Sequence, residues 1–201
     1  MHGILAVTPY YSRPPQAGIA RHFQAIAEAS DLPVVLYDIP IRTGRKIEHD
    51  TLLRLARDVP TIVAVKDAAA NPGASARLLA EAPDGFELYS GDDAMTLPLL
   101  AIGASGVISV AGHWTGEQQA EMIAAFTKGD VNGARAINAR LTESWEFETG
   151  DLTPNPLPAK AMMRVMGLPA GQCRLPLGPA PDGLEDRARQ VLANLGGAAV
   201  A

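Results

Sequence analysis

Cysteine occurs once, at Cys173, so no intramolecular disulfide can staple this chain; a lone thiol fits a reducing compartment, and a cytoplasmic location is expected. Positive charge is also scarce. Lys and Arg number 17 against 22 Asp and Glu, for a net charge of -5, and no basic cluster stands out, which excludes nucleic acid or an anionic membrane as the expected partner. No apolar run approaches the ~18 residues of a membrane span. The opening Met1-His2-Gly3-Ile4-Leu5-Ala6-Val7 lacks the charged leader of a signal peptide and reads as a strand. The histidines, at positions 2, 22, 49 and 113, show no metal-ligand spacing, so no metal is expected. What is present is apolar: 47% hydrophobic residues in 201, with a mean hydropathy of +0.05. That suffices for a substantial core in one domain, or one domain plus a small appendage.

The pattern alternates. Short apolar runs predict strands at Ile4 to Thr8, Val34 to Tyr37, Thr61 to Lys66, Phe86 to Tyr89 and Gly106 to Val110. Between them lie helical patterns, such as Ile19, Phe23 and Ile26 at i, i+4 and i+7, and the leucines from Leu52 to Leu55. The segment from Pro40 to Gly44 reads as a loop. This is the cadence of βα units and predicts an α/β fold with a parallel sheet. After the fifth strand the chain reads as helical, from about Gly116 to Thr127, after an Asp130 N-cap, from an Asn155-Pro156 start to Gly167, and from an Asp182 cap to about Leu195. The tail from Gly196 to Ala201 is expected to fray.

The chain is organised around Thr61-Ile62-Val63-Ala64-Val65-Lys66-Asp67-Ala68. A strand buried on both faces ends here in a lysine. Desolvation disfavours an ammonium, and a neutral amine condenses with ketones to give a Schiff base. The plainer alternative is a solvated strand-end lysine paired with Asp67. In parallel βα folds the reactive groups gather at the carboxyl ends of the strands. Those ends here carry Thr8 to Tyr11, Tyr37 to Arg42, Lys66, Ser90-Gly91-Asp92 and Ile108-Ser109. An amine, tyrosines, an arginine and glycines on one rim are what a Schiff-base enzyme for a keto acid requires. Each has a bland reading as well. Tyr37 can be a strand-end aromatic, Arg42 a loop cap, Tyr10 and Tyr11 interface packing, and Gly91 a tight turn. Lys160 reads as a solvated helix lysine.

Taken together, Val7-Thr8-Pro9-Tyr10-Tyr11-Ser12-Arg13-Pro14, Tyr37-Asp38-Ile39-Pro40 with Arg42-Thr43-Gly44, Val65-Lys66-Asp67-Ala68, Ser90-Gly91-Asp92-Asp93 and Gly106-Val107-Ile108-Ser109-Val110 resemble the dihydrodipicolinate synthase family. These are pyruvate-dependent Schiff-base lyases with a TIM-barrel fold. The resemblance implies a condensation of pyruvate with L-aspartate 4-semialdehyde, no cofactor beyond the covalent imine, and assembly into homotetramers. By matching position, Lys66 corresponds to the imine-forming lysine and Tyr37 to the tyrosine that relays protons beside it. Tyr11 corresponds to the tyrosine reaching a neighbouring subunit's site, and Arg42 to the arginine that binds the semialdehyde carboxylate. Gly91 and Ile108 fall where main-chain groups approach the substrate. Asp67 and Asp38 replace a more usual glutamate and asparagine.

A complete barrel has eight βα units over ~250 residues, and the Gly-Thr-Thr-Gly-Glu-Ser-like segment of the family does not occur in this chain. The expectation is therefore a C-terminal two-thirds of the enzyme. It would comprise a partial TIM barrel of about strands 4 to 8 over residues 1–129 and a C-terminal helical subdomain over 130–201. A sialic acid or sugar keto-acid aldolase of the same superfamily, or an inactive fragment, is the alternative function.

Overall fold

A computed structural model describes residues 2–196. Contacts divide the chain into two compact units, Met1–Ile108 and Ser109–Ala201. The sequence reading divides it at 129/130 instead.

The first unit holds a five-stranded sheet: β1 (Ile4–Val7), β2 (Val34–Asp38), β3 (Ile62–Asp67), β4 (Glu87–Ser90) and β5 (Gly106–Val107). All neighbours pair in parallel and lie in chain order, as right-handed βα crossovers produce. The connections carry helices α1 (Gln16–Glu28), α2 (Pro40–Thr43), α3 (His49–Asp58), α4 (Pro72–Glu81) and, after a 3-10 turn at Asp93–Met95, α5 (Thr96–Leu100).

Because strand side chains alternate, one face of the sheet meets the helices and the other does not. Ala6, Leu36, Val65 and Leu88 occupy one register row and pack on Ile19 and Phe23 of α1, Leu52 and Leu55 of α3 and Leu78 of α4. Each such fully buried large side chain stabilises the fold by ~1.5–3 kcal/mol. The residues one step along each strand point the opposite way. On β1 these are Leu5 and Val7, 47% and 37% exposed.

Two connections differ from the sequence reading. The expected loop at Pro40 to Gly44 contains the one-turn helix α2. Proline opens it, the Thr43 hydroxyl donates to the Ile39 carbonyl at 3.1 Å, and Gly44 closes it at φ 70°, a left-handed conformation that suits glycine. The fifth strand is two residues rather than five. The Ile108 amide still donates to Ser90 O at 2.9 Å, but Ser109 Oγ then accepts the Gly112 amide at 2.6 Å and turns the chain out of the sheet.

The second unit is helical: α6 (Gly112–Thr127), α7 (Val131–Glu148), α8 (Leu157–Val165) and α9 (Leu184–Leu195). Asp130 caps α7 as expected, its carboxylate accepting the Gly133 amide at 2.8 Å. The other two expected caps are corrected. Pro156, not Asn155, precedes α8, and the left-handed Gly183, not Asp182, precedes α9; neither helix start has a side-chain cap. α6 begins four residues before the expected Gly116. Its Trp114 meets Phe147 of α7 edge to face, ring centroids 6.1 Å apart. Lys160 and Arg164 of α8 donate to the Ala170 and Gly171 carbonyls and so hold the following loop, giving Lys160 a structural task. The expected frayed tail, beyond Gly196, lies outside the described residues.

Candidate active site

The sheet face turned away from the helices carries a continuous register row, Val7–Tyr37–Lys66–Tyr89–Gly106, one residue from each strand. Lys66 is central in it and 7% exposed. Its stem is confined from two directions. On the β2 side the ammonium lies over the Tyr37 ring, 4.2 Å from the centroid, where the π cloud favours positive charge. On the β4 side runs the backbone of Gly91. A Cβ placed there would meet Lys66 Cγ at 3.0 Å, Lys66 Cε at 3.1 Å and Ala68 Cβ at 2.9 Å. Gly91 is not among the glycines with positive φ. It is glycine because the lysine stem passes against it, which the tight-turn reading does not explain.

Tyr37 is held from behind. The Thr8 amide and the Thr8 hydroxyl both donate to its carbonyl at 3.0 Å. Burial holds the phenol above its ordinary value of 10.0, opposed by the positive charge of Arg42. Tyr37 therefore keeps its proton at neutral pH and can donate it. Arg42 stands exposed in the last turn of α2, two residues from Gly44. In the same loop, Arg13 Nε donates to Gly44 O at 2.8 Å and an Arg45 guanidinium nitrogen to Arg13 O at 3.1 Å. Ile108 sits just past β5, its amide committed to Ser90 O.

Tyr11 stands apart. It is 95% exposed, at φ 64°, and touches none of the other candidate residues through a hydrogen bond among the described residues. Tyr10, 68% exposed, and Ile41, 89% exposed, are also bare apolar side chains of this unit.

Two features escaped the sequence reading. Tyr89 flanks Lys66 opposite Tyr37, and its hydroxyl donates to Glu87 Oε2 at 2.8 Å; that bond is the main reason its phenol lies above 10.0. The i, i+2 spacing of Glu87 and Tyr89 on one strand face was the available signal. On the opposite face, Asp38 and Asp67 are neighbours in the next register row and both are buried. Asp38 pairs with Lys46 at 2.9 Å and accepts the Ile47 amide at 3.1 Å. Asp67 accepts from Ser75 Oγ at 2.6 Å and from the Ala69 amide at 2.8 Å. Adjacent strand residues point to opposite faces, and both Asp67 oxygens bond behind the sheet, to Ser75 and to the Ala69 amide.

A model of the dihydrodipicolinate synthetase family matches residues 1–195. The chain belongs to that family. It is 48% identical over 196 residues to a 4-hydroxy-tetrahydrodipicolinate synthase of Symbiobacterium thermophilum, covering 98% of this chain and 66% of that protein. It is 47% identical to one of Moorella thermoacetica, covering 87% of this chain and 59% of that protein. A crystal structure of the Cyanidioschyzon merolae synthase with lysine bound superposes with a TM-score of 0.93 at 43% identity, over 98% of this chain and 66% of that one. The Aquifex aeolicus dihydrodipicolinate synthase also gives 0.93, at 34% identity over 100% of this chain and 68% of that one. These likenesses identify the parallel sheet with its flanking and trailing helices as the TIM-barrel-like fold of the family.

One expectation is corrected. The family pattern fits nearly the whole chain, residues 1–195, which replaces the reading of a C-terminal two-thirds numbered from the family's fourth strand. In length, the chain spans just under two thirds or less of these first curated relatives, 66% and 59%.

Proposed function

We propose that this chain performs the Schiff-base chemistry of its family, the condensation of pyruvate with L-aspartate 4-semialdehyde. Lys66 Nζ adds to the pyruvate C2 carbonyl and water leaves, forming an imine. Loss of a proton from pyruvate C3 gives the enamine, whose carbon attacks the aldehyde and restores the imine. The semialdehyde's amino group then adds to the imine carbon and displaces the Lys66 amine, closing the ring to 4-hydroxy-tetrahydrodipicolinate and freeing the lysine. Tyr37, which holds its proton, serves the proton transfers. Gly91 and Ile108 leave room for pyruvate against the main chain, and Arg42 takes the carboxylate of the second substrate. Tyr11 serves the site of a neighbouring copy, so the working form is a homo-oligomer.

The observation that carries this reading is the row Tyr37–Lys66–Tyr89 with the amine over a tyrosine ring and against Gly91. A buried amine between tyrosines, on the face that the helices leave clear, is poorly explained as a solvated lysine. The test is reduction by borohydride in the presence of pyruvate. One stable adduct is expected at Lys66 and none at Lys160. Lys66→Arg should abolish trapping although charge is kept, because a guanidinium stays protonated. An adduct at Lys160, or none in a folded chain, ends the proposal.

The competing substrate is a sugar-derived aldehyde. Arg42, exposed at the end of α2 and acting on Tyr37 through charge, favours the semialdehyde, since a sugar aldehyde offers no carboxylate there.

A further inference from the structure

We propose that Asp67, clamped behind the sheet by Ser75, is a positioning residue that sets where the Lys66 amine stands; this rests on the Schiff-base reading of Lys66. Lys66 and Asp67 are successive residues of β3, so one points to the open face and the other to the helix face. The direction of the first is therefore tied to the anchoring of the second.

That anchoring is unusually complete. Ser75, 2% exposed on α4, directs its hydroxyl to Asp67 Oδ2 at 2.6 Å, with the Asn71 carbonyl at 3.0 Å as its other neighbour. Asp67 Oδ1 takes the Ala69 amide at 2.8 Å and bends the chain sharply into Ala70, at φ 54°. The space beside the carboxylate, lined by Lys46, Leu52, Ser75 and Leu78, is about 30 Å³, room for a single water. The main chain of Asp67 is fixed as well. Its carbonyl accepts the Gly91 amide at 2.8 Å, which is the contact that presses Gly91 against the lysine stem. One residue thus sets the end of β3, the direction of Lys66 and the position of the backbone that confines it. Neither the family match nor the rim of strand ends assigns a task to Ser75.

The experiment compares wild type with Ser75→Ala, which removes the clamp and touches no group on the open face. Two rates are read. One is pyruvate-dependent borohydride trapping at Lys66 across pyruvate concentrations. The other is acetylation of each lysine by acetic anhydride, with Lys128 and Lys160 as internal controls. Expected is a fall of about tenfold or more in the saturating trapping rate, with the half-saturating pyruvate concentration within about twofold, because a small misplacement of a reacting atom acts on the rate. Lys66 acetylation should change while Lys128 and Lys160 keep their rates, and Ser75→Thr, which keeps the hydroxyl, should restore both. A uniform rise in labelling of all lysines means loosened structure and overturns the proposal. So does unchanged Lys66 chemistry in Ser75→Ala. Should that variant not fold, Asp67→Asn, which keeps the shape and weakens the bond to Ser75, is read by the same criteria. If wild type itself traps no pyruvate, the Schiff-base reading falls, while the acetylation arm still decides whether Ser75 and Asp67 set the state of Lys66.

Discussion

At the scale of single residues, the site is built by exclusion as much as by contact. Gly91→Ala would put a methyl 3.0 Å from Lys66 Cγ and 2.9 Å from Ala68 Cβ, so the lysine stem must move and the backbone at Ala68 with it. We expect pyruvate trapping to fall sharply while stability falls by only ~1–3 kcal/mol, the ordinary cost of overpacking. A urea titration beside the trapping assay separates the two, and unimpaired trapping would show that the close approach is immaterial. Arg42 makes the complementary case. It is exposed and affects Tyr37 through charge. In Arg42→Ala the KM for the semialdehyde should rise by the loss of a charge-assisted contact, ~1.5–3 kcal/mol, with imine formation largely intact. The same change should push the Tyr37 phenol further up, because the opposing positive charge is gone; ultraviolet titration against Tyr37→Phe reads it. Equal losses in trapping and turnover would make Arg42 structural and bring back the sugar aldolase.

At the scale of elements, the ends of β2 and β3 carry buried carboxylates, and that of Asp38 makes stability depend on pH. Burial holds the Asp38 carboxyl above its ordinary value of 3.8, against the pull of Lys46 and the Ile47 amide and with a push from Asp67. The unfolded chain therefore releases this proton first as pH rises. The folded state binds more protons between 3.8 and its own raised value, so stability from this group is full below 3.8 and is lost as pH climbs through the folded value. Asp38→Asn cannot ionise. Wild-type minus variant unfolding free energy should fall with rising pH across that window and then level off. Urea titrations at stepped pH test it, and a difference that grows with pH would reverse the assignment. The same strand ends hold Tyr37 and Lys66 on their other face, so the anchoring row and the chemical row share one piece of backbone.

At the scale of the whole molecule, the role proposed for Tyr11 requires copies of the chain to associate. It is 95% exposed on a left-handed backbone position, an arrangement that makes sense for a side chain delivered elsewhere. Mixing Tyr11→Phe chains with Lys66→Arg chains should restore condensation that neither has alone, because one copy supplies the tyrosine and another the lysine. No recovery in demonstrably mixed oligomers would place Tyr11 in its own copy's site or in none.

The sequence by itself determined the βα order, the parallel sheet and which residues stand at the ends of its strands. Apolar runs bounded by proline and glycine specify strands locally, and the lysine ending β3 is conspicuous against its apolar neighbours. It also carried the Asp130 cap, a contact across three residues. What it left open depends on long-range packing. β5 stops at Val107 because the Ser109 side chain takes a backbone amide, and α8 and α9 start without the expected caps because the chain enters them through Pro156 and Gly183. The reason for Gly91, the tyrosine on the far side of Lys66 and the clamp from Ser75 to Asp67 were likewise decided only in three dimensions. Register between strands brings Tyr89 beside Lys66, and the packing of α4 behind β3 brings Ser75 to Asp67. Periodicity says which face a side chain takes; only the paired and packed sheet says what it meets there.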